Sequence, residues 1–215
     1  MTIKNYLAYI YNYPKIMHER IYGTKKYGFY YCYSPYNVTI DECYNEYSID
    51  GIDKNDVVLD LGANVGGFAI RVSNKCKYVI SVEPLYHEIL KRNIIKNKIV
   101  NIEIIPWAVG NGKVITINYD GPTIIQTHTF EDIIDKIGYY PNFLKCDIEG
   151  GEYYINPENF AHFKRLEIEF HQNEKFGFYI DSIKKTHYIF FTHTDTHLPF
   201  GLGILHGFRK GDYSF

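Results

Sequence analysis

Candidate functional residues stand in or directly after apolar stretches of the chain. Asp60 lies in the apolar run DVVLDL, and the glycine-rich segment GANVGG follows it at 62–67. Glycine permits positive φ and lets a ligand approach the backbone, and the N–H groups at the start of a following helix are electropositive. Glu83 follows Asp60 by 23 residues, the offset at which an acid ends the second strand of a nucleotide-binding unit and meets a ribose diol. These residues predict a site for a small polar ligand, and the turn alone does not decide among a dinucleotide, a phosphate and S-adenosylmethionine.

A second group of polar residues follows the apolar stretch NFLKC. Asp147 and Glu149 come directly after it, beside two glycines, where open α/β sheets place their ligands. In the stretch RLEIEFH, the alternation predicts a strand with Glu169 and His171 on the face opposite the apolar residues. A carboxylate or histidine within hydrogen-bonding reach of a hydroxyl can remove its proton. Asp147, Glu149 and His171 are therefore candidate catalytic residues, whereas Glu152 is expected to serve the start of a helix.

The elements that must position these residues alternate between strands and helices from residue 56 onward. Thr129 and Asp132 predict a capping box at the start of one of the helices. The alternation predicts an α/β domain with a mostly parallel, doubly wound sheet and an antiparallel C-terminal hairpin. Predicted strands cover 56–61, 77–82, 101–105, 113–119, 142–146, 165–171, 188–192 and 202–208, and predicted helices cover 68–74, 85–97 and 130–137.

Residues 1–50 are rich in tyrosine and are interpreted as a cap segment that packs on a main domain of residues 51–215. A strand is expected at 27–33, and a helix at 42–49 with Thr39 or Asp41 as its cap. The segment would cover a sheet edge or roof the ligand pocket. In the loop of the terminal hairpin, His193, Asp195 and His197 are expected to form an exposed tip in preference to a metal site.

Composition and charge exclude several classes of protein. The 215 residues are 46% apolar and 22% charged, which is ordinary globular usage and excludes a wholly disordered chain. The net charge of -2 gives no general attraction to polyanions, so nucleic acid is not favoured as a partner. The four cysteines are scattered without a C-x-x-C pair, and no stretch has the apolar length of a membrane span. A soluble, cytoplasmic protein with reduced thiols is expected.

Six segments, in their order and spacing, resemble the FkbM-like methyltransferases, a branch of the class I S-adenosylmethionine-dependent enzymes. The segments are DVVLDLGANVGGF, SVEP, PWAVGN, THTFEDI, FLKCDIEGGE and IEFH, and the resemblance covers residues 41–171. It implies a seven-stranded Rossmann-like sheet in which six strands are parallel and the last is antiparallel. It also implies S-adenosylmethionine as the cofactor and a hydroxyl of a sugar, glycan or small molecule as the methyl acceptor.

The resemblance also implies roles for individual residues. Glu83 would bind the ribose hydroxyls, Ala108 would lie by the adenine, and Asp147 would face the methionine end and the methyl group. Trp107 is expected either in the core or against the adenine. The turn lacks the G-x-G-x-x-G pattern of dinucleotide sites, and an acid before it suits a cofactor with ammonium and sulfonium groups. The first cofactor turn would consist of Asp60, Gly62, Asn64 and Gly66.

For a hydroxyl acceptor, His171 is the first candidate for the general base, with Asp147 or Glu149 second. No metal site is predicted, although Asp147 and Glu169 could instead hold a divalent cation that lowers the pKa of the hydroxyl. Two other functions stay open: methylation of RNA or protein, with the N-terminal aromatic residues stacking a base, and a binding module without catalysis. A basic groove beside the pocket would favour RNA, and a pocket filled by tyrosines would favour the binding module.

Overall fold

The structure, a computed structural model, describes residues 24–32, 37–118, 121–192 and 201–213. The expected hairpin tip with His193, Asp195 and His197 lies outside these residues. The described helices are α1 (Asn37–Asn45), α2 (Gly67–Ser73), α3 (His87–Lys96), α4 (Phe130–Ile137) and α5 (Phe176–Thr186). The described strands are β1 (Thr24–Lys26), β2 (Phe29–Tyr31), β3 (Val57–Leu61), β4 (Tyr78–Val82), β5 (Ile102–Ile105), β6 (Ala108–Val109), β7 (Val114–Asn118), β8 (Pro122–His128), β9 (Phe143–Cys146), β10 (Arg165–His171), β11 (His187–Thr192) and β12 (Gly201–Arg209).

A seven-stranded sheet forms the centre of the described structure, in the order β11-β12-β10-β9-β3-β4-β5. Strands β5, β4, β3, β9 and β10 pair in parallel, and β12 pairs antiparallel with both β10 and β11. Six strands therefore run in one direction and β12 runs against them. The predicted mostly parallel sheet with an antiparallel C-terminal hairpin is confirmed.

Both faces of this sheet are covered, which explains why its central strands are almost uninterrupted apolar runs. On one face, Leu59 and Leu61 of β3 pack with Phe130 and Ile133 of α4. On the other face, Val58 and Val79 pack with residues of α2, among them Phe68, Ala69 and Val72. Because alternate residues of a strand point to opposite faces, Asp60 lies on the α2 side of the sheet, beneath the glycine-rich turn.

Local signals in the sequence locate several helix boundaries. The Thr129 hydroxyl accepts a hydrogen bond from the Asp132 N–H at 3.1 Å, and the Asp132 carboxylate accepts one from the Thr129 N–H at 2.8 Å. The predicted capping box and the helix after it are confirmed. Helices α2 and α3 occupy the predicted positions with ends shifted by one or two residues, because helix ends depend on local capping that periodicity does not specify.

The N-terminal predictions need correction. The expected strand at 27–33 is a hairpin of β1 and β2, because Tyr27 and Gly28 both adopt positive φ and turn the chain between them. The expected helix at 42–49 begins earlier, at Asn37, and Asp41 lies inside it. Instead of capping the helix, the Asp41 carboxylate accepts a hydrogen bond from the Tyr27 hydroxyl at 2.7 Å and pairs with Lys26. Asp41 thus joins the hairpin to α1.

Two elements carried no usable signal in the sequence. Helix α5 contains Gly177 and several aromatic and β-branched residues, which have low helix propensity. Burial of Tyr179, Ile180 and Ile183 stabilises it in the folded protein. Strand β8 has mostly exposed residues in its first half and pairs with β7 and β6 in a separate small sheet. In both cases tertiary contacts outweigh local preference.

The described part of the N-terminal segment packs against the main sheet's helices. The Arg71 guanidinium of α2 donates hydrogen bonds to the carbonyl oxygens of Cys43 and Tyr47, at 2.6 and 2.7 Å. The Asn93 side chain of α3 accepts from the Cys32 N–H and donates to the Val65 carbonyl in the glycine-rich turn. The division of the chain at residue 50 stays a prediction. In the described residues, no helix has both the length and the apolar character that crossing a membrane requires.

Candidate functional site

The ends of four strands meet at one edge of the sheet. The N–H of Gly62, after β3, donates to the Val82 carbonyl at the end of β4, and the Asp147 N–H, after β9, donates to the Leu61 carbonyl. Strand β10 ends beside β9 and places His171 at the same edge. Ligands of open α/β sheets bind at this carboxyl edge. The predicted turn, the acid at 83 and the acids at 147–149 are therefore brought together here.

Close packing of the backbone explains two glycines of the turn. Gly62 has φ of 76°, and a Cβ there would lie 1.8 Å from the Asp147 carbonyl oxygen. Gly66 has φ of 93°, and a Cβ there would lie 2.4 Å from the Leu90 Cδ1 of α3. A side chain at Gly62 would displace the backbone at Asp147, whereas one at Gly66 would require the buried Leu90 side chain to move. Both glycines thus hold the turn against the rest of the fold, in addition to the ligand-binding role predicted for them.

Glu83 organises the turn through its carboxylate. One oxygen accepts a hydrogen bond from the Asn64 N–H at 2.9 Å, and the other accepts from the N–H groups of Leu85 and Tyr86 at 2.6 and 2.9 Å. Glu83 is only 5% exposed. A carboxylate has about four acceptor positions, so the three backbone donors leave room for a further hydroxyl donor at its accessible edge.

Asp60 is fully buried beneath the turn and does not line an open surface. The Lys145 Nζ lies 3.5 Å from an Asp60 oxygen and donates to the Gly62 carbonyl at 2.9 Å. Burial raises the pKa of Asp60 to about 6, although the Lys145 charge opposes this shift. In this geometry a ligand on the turn would contact backbone groups and not Asp60 itself. Asp60 would influence the ligand through the electrostatic field of the Asp60–Lys145 ion pair.

The Tyr47 hydroxyl lies between two acids of the site. It is 3.0 Å from the Asp147 Oδ2 and 2.9 Å from the Glu169 Oε2. Asp147 is partly exposed and also lies 3.6 Å from the Lys145 Nζ. Burial, together with the charge of Asp147, raises the pKa of Glu169 to about 7. Asp147 and Glu169 are both partly exposed, so both acids border the open edge of the site.

His171 lies between the carboxylates of Glu149 and Glu152. Its Nε2 is 3.4 Å from Glu149, and its Nδ1 is 3.3 Å from Glu152. Interaction with Glu149 and then with Glu152 raises the pKa of His171 to about 11, in spite of partial burial. A protonated imidazole cannot accept another proton, so His171 has the character of a fixed cation at neutral pH. The geometry favours a carboxylate, in place of His171, as the general base.

Glu152 lies in the first turn of a short 3-10 helix, Gly151–Tyr154, as expected of an acid at a helix start. It is also completely buried, and its Oε1 accepts hydrogen bonds from the N–H groups of Ile148 and Gly150. This anchored carboxylate holds the 147–152 loop, and its Oε1 lies 3.3 Å from the His171 Nδ1.

Asp147, Glu149 and His171 each offer one potential metal-ligand atom, and these atoms lie within 4.8 Å of one another. A histidine must be neutral at the ligating nitrogen to bind a metal. In the structure the His171 Nε2 lies 3.4 Å from the Glu149 carboxylate, which is an ion-pair contact between two members of this group.

Trp107 and Ala108 follow β5 at the far side of the site. The Trp107 ring stacks on His128 of β8 at 3.9 Å, and the Lys136 Nζ of α4 lies 5.1 Å from its centroid. It also packs against the main core, as the core interpretation expects. Ala108 begins β6 and pairs with Thr127. Their proposed contacts with adenine stay predictions.

Three residues of the site were missed or given little weight in the sequence. Tyr47 was one of many tyrosines, and Glu169 was treated as secondary to His171. Lys145 interrupts the apolar strand FLKC and is 2% exposed. A lysine inside a buried strand is a usable signal, because a buried cation needs an anionic partner.

We predict that Gly62→Ala destabilises the protein because its Cβ would overlap the Asp147 carbonyl. The matched control is Gly112→Ala, which has nearly the same φ of 78° and a nearest contact at 3.9 Å. Chemical unfolding should show a loss of about 3 kcal/mol or more for Gly62→Ala and about 1 kcal/mol for Gly112→Ala. Equal losses would show that conformational strain alone, without the clash, explains the requirement for glycine.

We predict that His171 stays protonated between pH 5 and 9 and that its ring NMR signals show no titration in that range. Since its folded pKa is raised above the unfolded value of about 6.5, its contribution to stability is complete below pH 6.5 and declines as the pH rises toward 11. Glu149→Gln should lower the midpoint, whereas Glu174→Gln, an exposed acid three residues beyond His171, should not. A wild-type midpoint near 6.5 would contradict the ion-pair assignment.

Comparison with known proteins finds local sequence similarity to two of them. No family model matches the chain. A stretch of 56 residues is 43% identical to the probable ribosomal RNA small subunit methyltransferase A of Methanosphaera stadtmanae, covering 25% of this chain and 21% of that protein. A stretch of 95 residues is 36% identical to the probable cobalt-precorrin-6B C(15)-methyltransferase (decarboxylating) of Methanocaldococcus jannaschii, covering 43% of this chain and 40% of that protein. The chain thus spans less than half the length of either relative.

A solved structure extends the comparison over most of the chain. Aeropyrum pernix fibrillarin, in complex with natively bound S-adenosyl-L-methionine, superposes with a TM-score of 0.51 at 14% identity. The match covers 88% of this chain and 86% of that chain. Together with the strand order, it shows that the chain has the Rossmann-like fold of the class I methyltransferases.

Proposed function

We propose that the protein is an S-adenosylmethionine-dependent methyltransferase. The observation that carries this proposal is the turn 62–67, held by Glu83 at the carboxyl ends of β3 and β4 in a class I methyltransferase fold. The relatives with local sequence similarity are both named as methyltransferases, which supports the same activity.

The residues at the sheet edge fit this cofactor. Gly62 and Asn64 are the partly exposed members of the turn, while Ala63 and Val65 point into the core. The remaining acceptor capacity of Glu83 suits a ribose diol, and Trp107 and Ala108 lie on the side where the base would be. Gly66 shapes the turn, and Asp147 would face the methionine end.

When bound, S-adenosylmethionine would supply an electrophilic methyl group, which an acceptor attacks in line with the sulfur as the leaving group. The contribution of the protein is to align the acceptor, exclude water and hold the acceptor's proton. Asp147 is a partly exposed carboxylate directly after β9 at the sheet edge, so we assign it the role of general base. His171, with Glu149 and Glu152, fixes the loop that carries Asp147.

For the acceptor, a hydroxyl on a sugar or small molecule is the first candidate. The resemblance to FkbM-like enzymes supports it, as does the acid-rich site edge, which a neutral hydroxyl compound tolerates better than a polyanion does. Ribosomal RNA is the second candidate, because the similarity to a ribosomal RNA methyltransferase runs against the expectation drawn from net charge.

We expect calorimetric titration to show binding of S-adenosylmethionine and no binding of NAD. Glu83→Gln removes the charge that strengthens hydrogen bonds to the ribose hydroxyls, so it should weaken binding about tenfold or more. Glu103→Gln, an exposed acid on the neighbouring strand β5, is the matched control and should bind normally. Absence of binding by folded wild-type protein would overturn the proposed function.

The acceptor class is tested by transfer of a labelled methyl group to glycans, small hydroxyl compounds and ribosomal RNA in parallel. Product from the first two and none from RNA is expected. Because general-base catalysis contributes about a hundredfold or more, Asp147→Asn should reduce the rate by that factor. Label found only in RNA would replace the first acceptor candidate with the second.

A further inference from the structure

The Tyr47 hydroxyl connects two acids that come from separate strands. Tyr47 follows α1, Asp147 follows β9 and Glu169 lies on β10, so the contacts join residues 100 and 122 positions apart. The Tyr47 side chain is 3% exposed, its ring packs edge-on against Phe68, and the Lys145 Nζ lies 5.2 Å from the ring centroid. The hydroxyl is thereby held in place between the two carboxyl groups.

The number of protons in this group follows from its geometry. A phenol has one proton to donate, and an ionised carboxylate only accepts. Tyr47 can donate to only one acid at a time, so the second contact between oxygens, at 2.9 or 3.0 Å, becomes a hydrogen bond when the other carboxyl group carries a proton. The chain Asp147–Tyr47–Glu169 can therefore hold one proton besides that of the phenol.

The surroundings of Glu169 favour a proton on it. Burial, together with the Asp147 charge, raises the pKa of Glu169 to about 7, while the hydrogen bond from Tyr47 and the charges of His171 and Lys145 oppose that shift. Asp147, in contrast, has the Lys145 Nζ at 3.6 Å. The other titratable groups facing this chain are Glu42, Cys43 and Asp60.

We propose that Tyr47 is a positioning residue that relays the acceptor's proton from Asp147 to Glu169 during methyl transfer. The proposal rests on the proposed function. The acceptor O–H bond breaks and its proton moves to Asp147, the proton of Asp147 moves to the Tyr47 oxygen, and the phenolic proton moves to Glu169. The electron pair left on the acceptor oxygen forms the bond to the methyl carbon, while sulfur keeps the pair of the bond that breaks.

The relay predicts a definite pH dependence. Glu169 can receive the proton only when it is ionised, so the rate should rise with pH through a midpoint near 7. Below that midpoint Glu169 already carries a proton, so Asp147 cannot pass on the proton that it takes from the acceptor. If Tyr47 only filled space, removal of its hydroxyl would leave the midpoint of this pH profile unchanged.

The first test is carboxyl carbon NMR of the full-length protein, titrated in the presence of a chelator, as wild type, Tyr47→Phe and Tyr78→Phe. Tyr78→Phe is a matched control, because it removes a hydroxyl 3.4 Å from the Glu103 carboxylate at the other end of the sheet. In wild type we expect the Asp147 and Glu169 signals to change together. In Tyr47→Phe, the Glu169 midpoint should rise by about one unit, since a hydrogen bond to its charged form is lost, and the Asp147 signal should no longer follow it.

Unchanged coupling and midpoint in Tyr47→Phe would overturn the relay. This measurement needs neither cofactor nor acceptor, so its failure is distinguishable from failure of the proposed function, which cofactor titration detects. Tyr47→Phe keeps the ring that packs on Phe68, and a chemical unfolding transition like that of Tyr78→Phe would confirm that it folds.

The second test uses the acceptor found by methyl transfer. Tyr47→Phe and Glu169→Gln should each lower kcat about tenfold to a hundredfold, leave KM nearly unchanged and remove the rise near pH 7. Tyr78→Phe should behave as wild type. NMR could show coupled titration in the wild type while Tyr47→Phe keeps the wild-type pH profile of the rate. That result would refute a role of Asp147–Tyr47–Glu169 proton transfer in methyl transfer.

Discussion

The candidate site depends on a buried ammonium group among carboxylates. Lys145 is 2% exposed and contacts Asp60, Asp147 and the Gly62 carbonyl. Burial alone would lower the pKa of Lys145, but the charges of Asp147 and Asp60 raise it above its ordinary value. Without this cation, acids from three adjacent strands would repel one another at one sheet edge. The cation also ties the glycine-rich turn to the strand that carries Asp147.

A second cation divides the acids of the site into two groups with different chemistry. His171 forms ion pairs with Glu149 and the buried Glu152, whereas Lys145 forms ion pairs with Asp60 and Asp147. Glu169 stands between these groups. Environments that separate the pKa values of neighbouring acids are the usual means by which a protein assigns acid and base roles at neutral pH. Here burial and the charge of Asp147 raise the pKa of Glu169, while Asp147 itself lies 3.6 Å from the Lys145 cation.

The same edge shows how backbone and side chains share the positioning of the turn. Glu83 satisfies the N–H groups of the turn and of the next loop, and the absence of a side chain at Gly62 allows the end of β9 to pass against the turn. A separate buried ionic group stabilises the region where β10 meets β12. It consists of Arg165, Glu167 and His206. Glu167, which shares a strand face with Glu169, thus has a structural partner and no open surface.

The sequence by itself determined the parts that depend on neighbours along the chain. Apolar runs and their spacing predicted the central strands, Thr129 and Asp132 predicted the start of α4, and the spacing of Asp60 and Glu83 predicted that an acid at the end of β4 lies by the glycine-rich turn. Only the tertiary structure decided the state of the titratable groups. Tyr47 meets Asp147 and Glu169 across separations of 100 and 122 residues, and His171 becomes a cation because two carboxylates converge on it. Protonation depends on distance and burial in three dimensions, and neither quantity is encoded in the order of residue types along a strand.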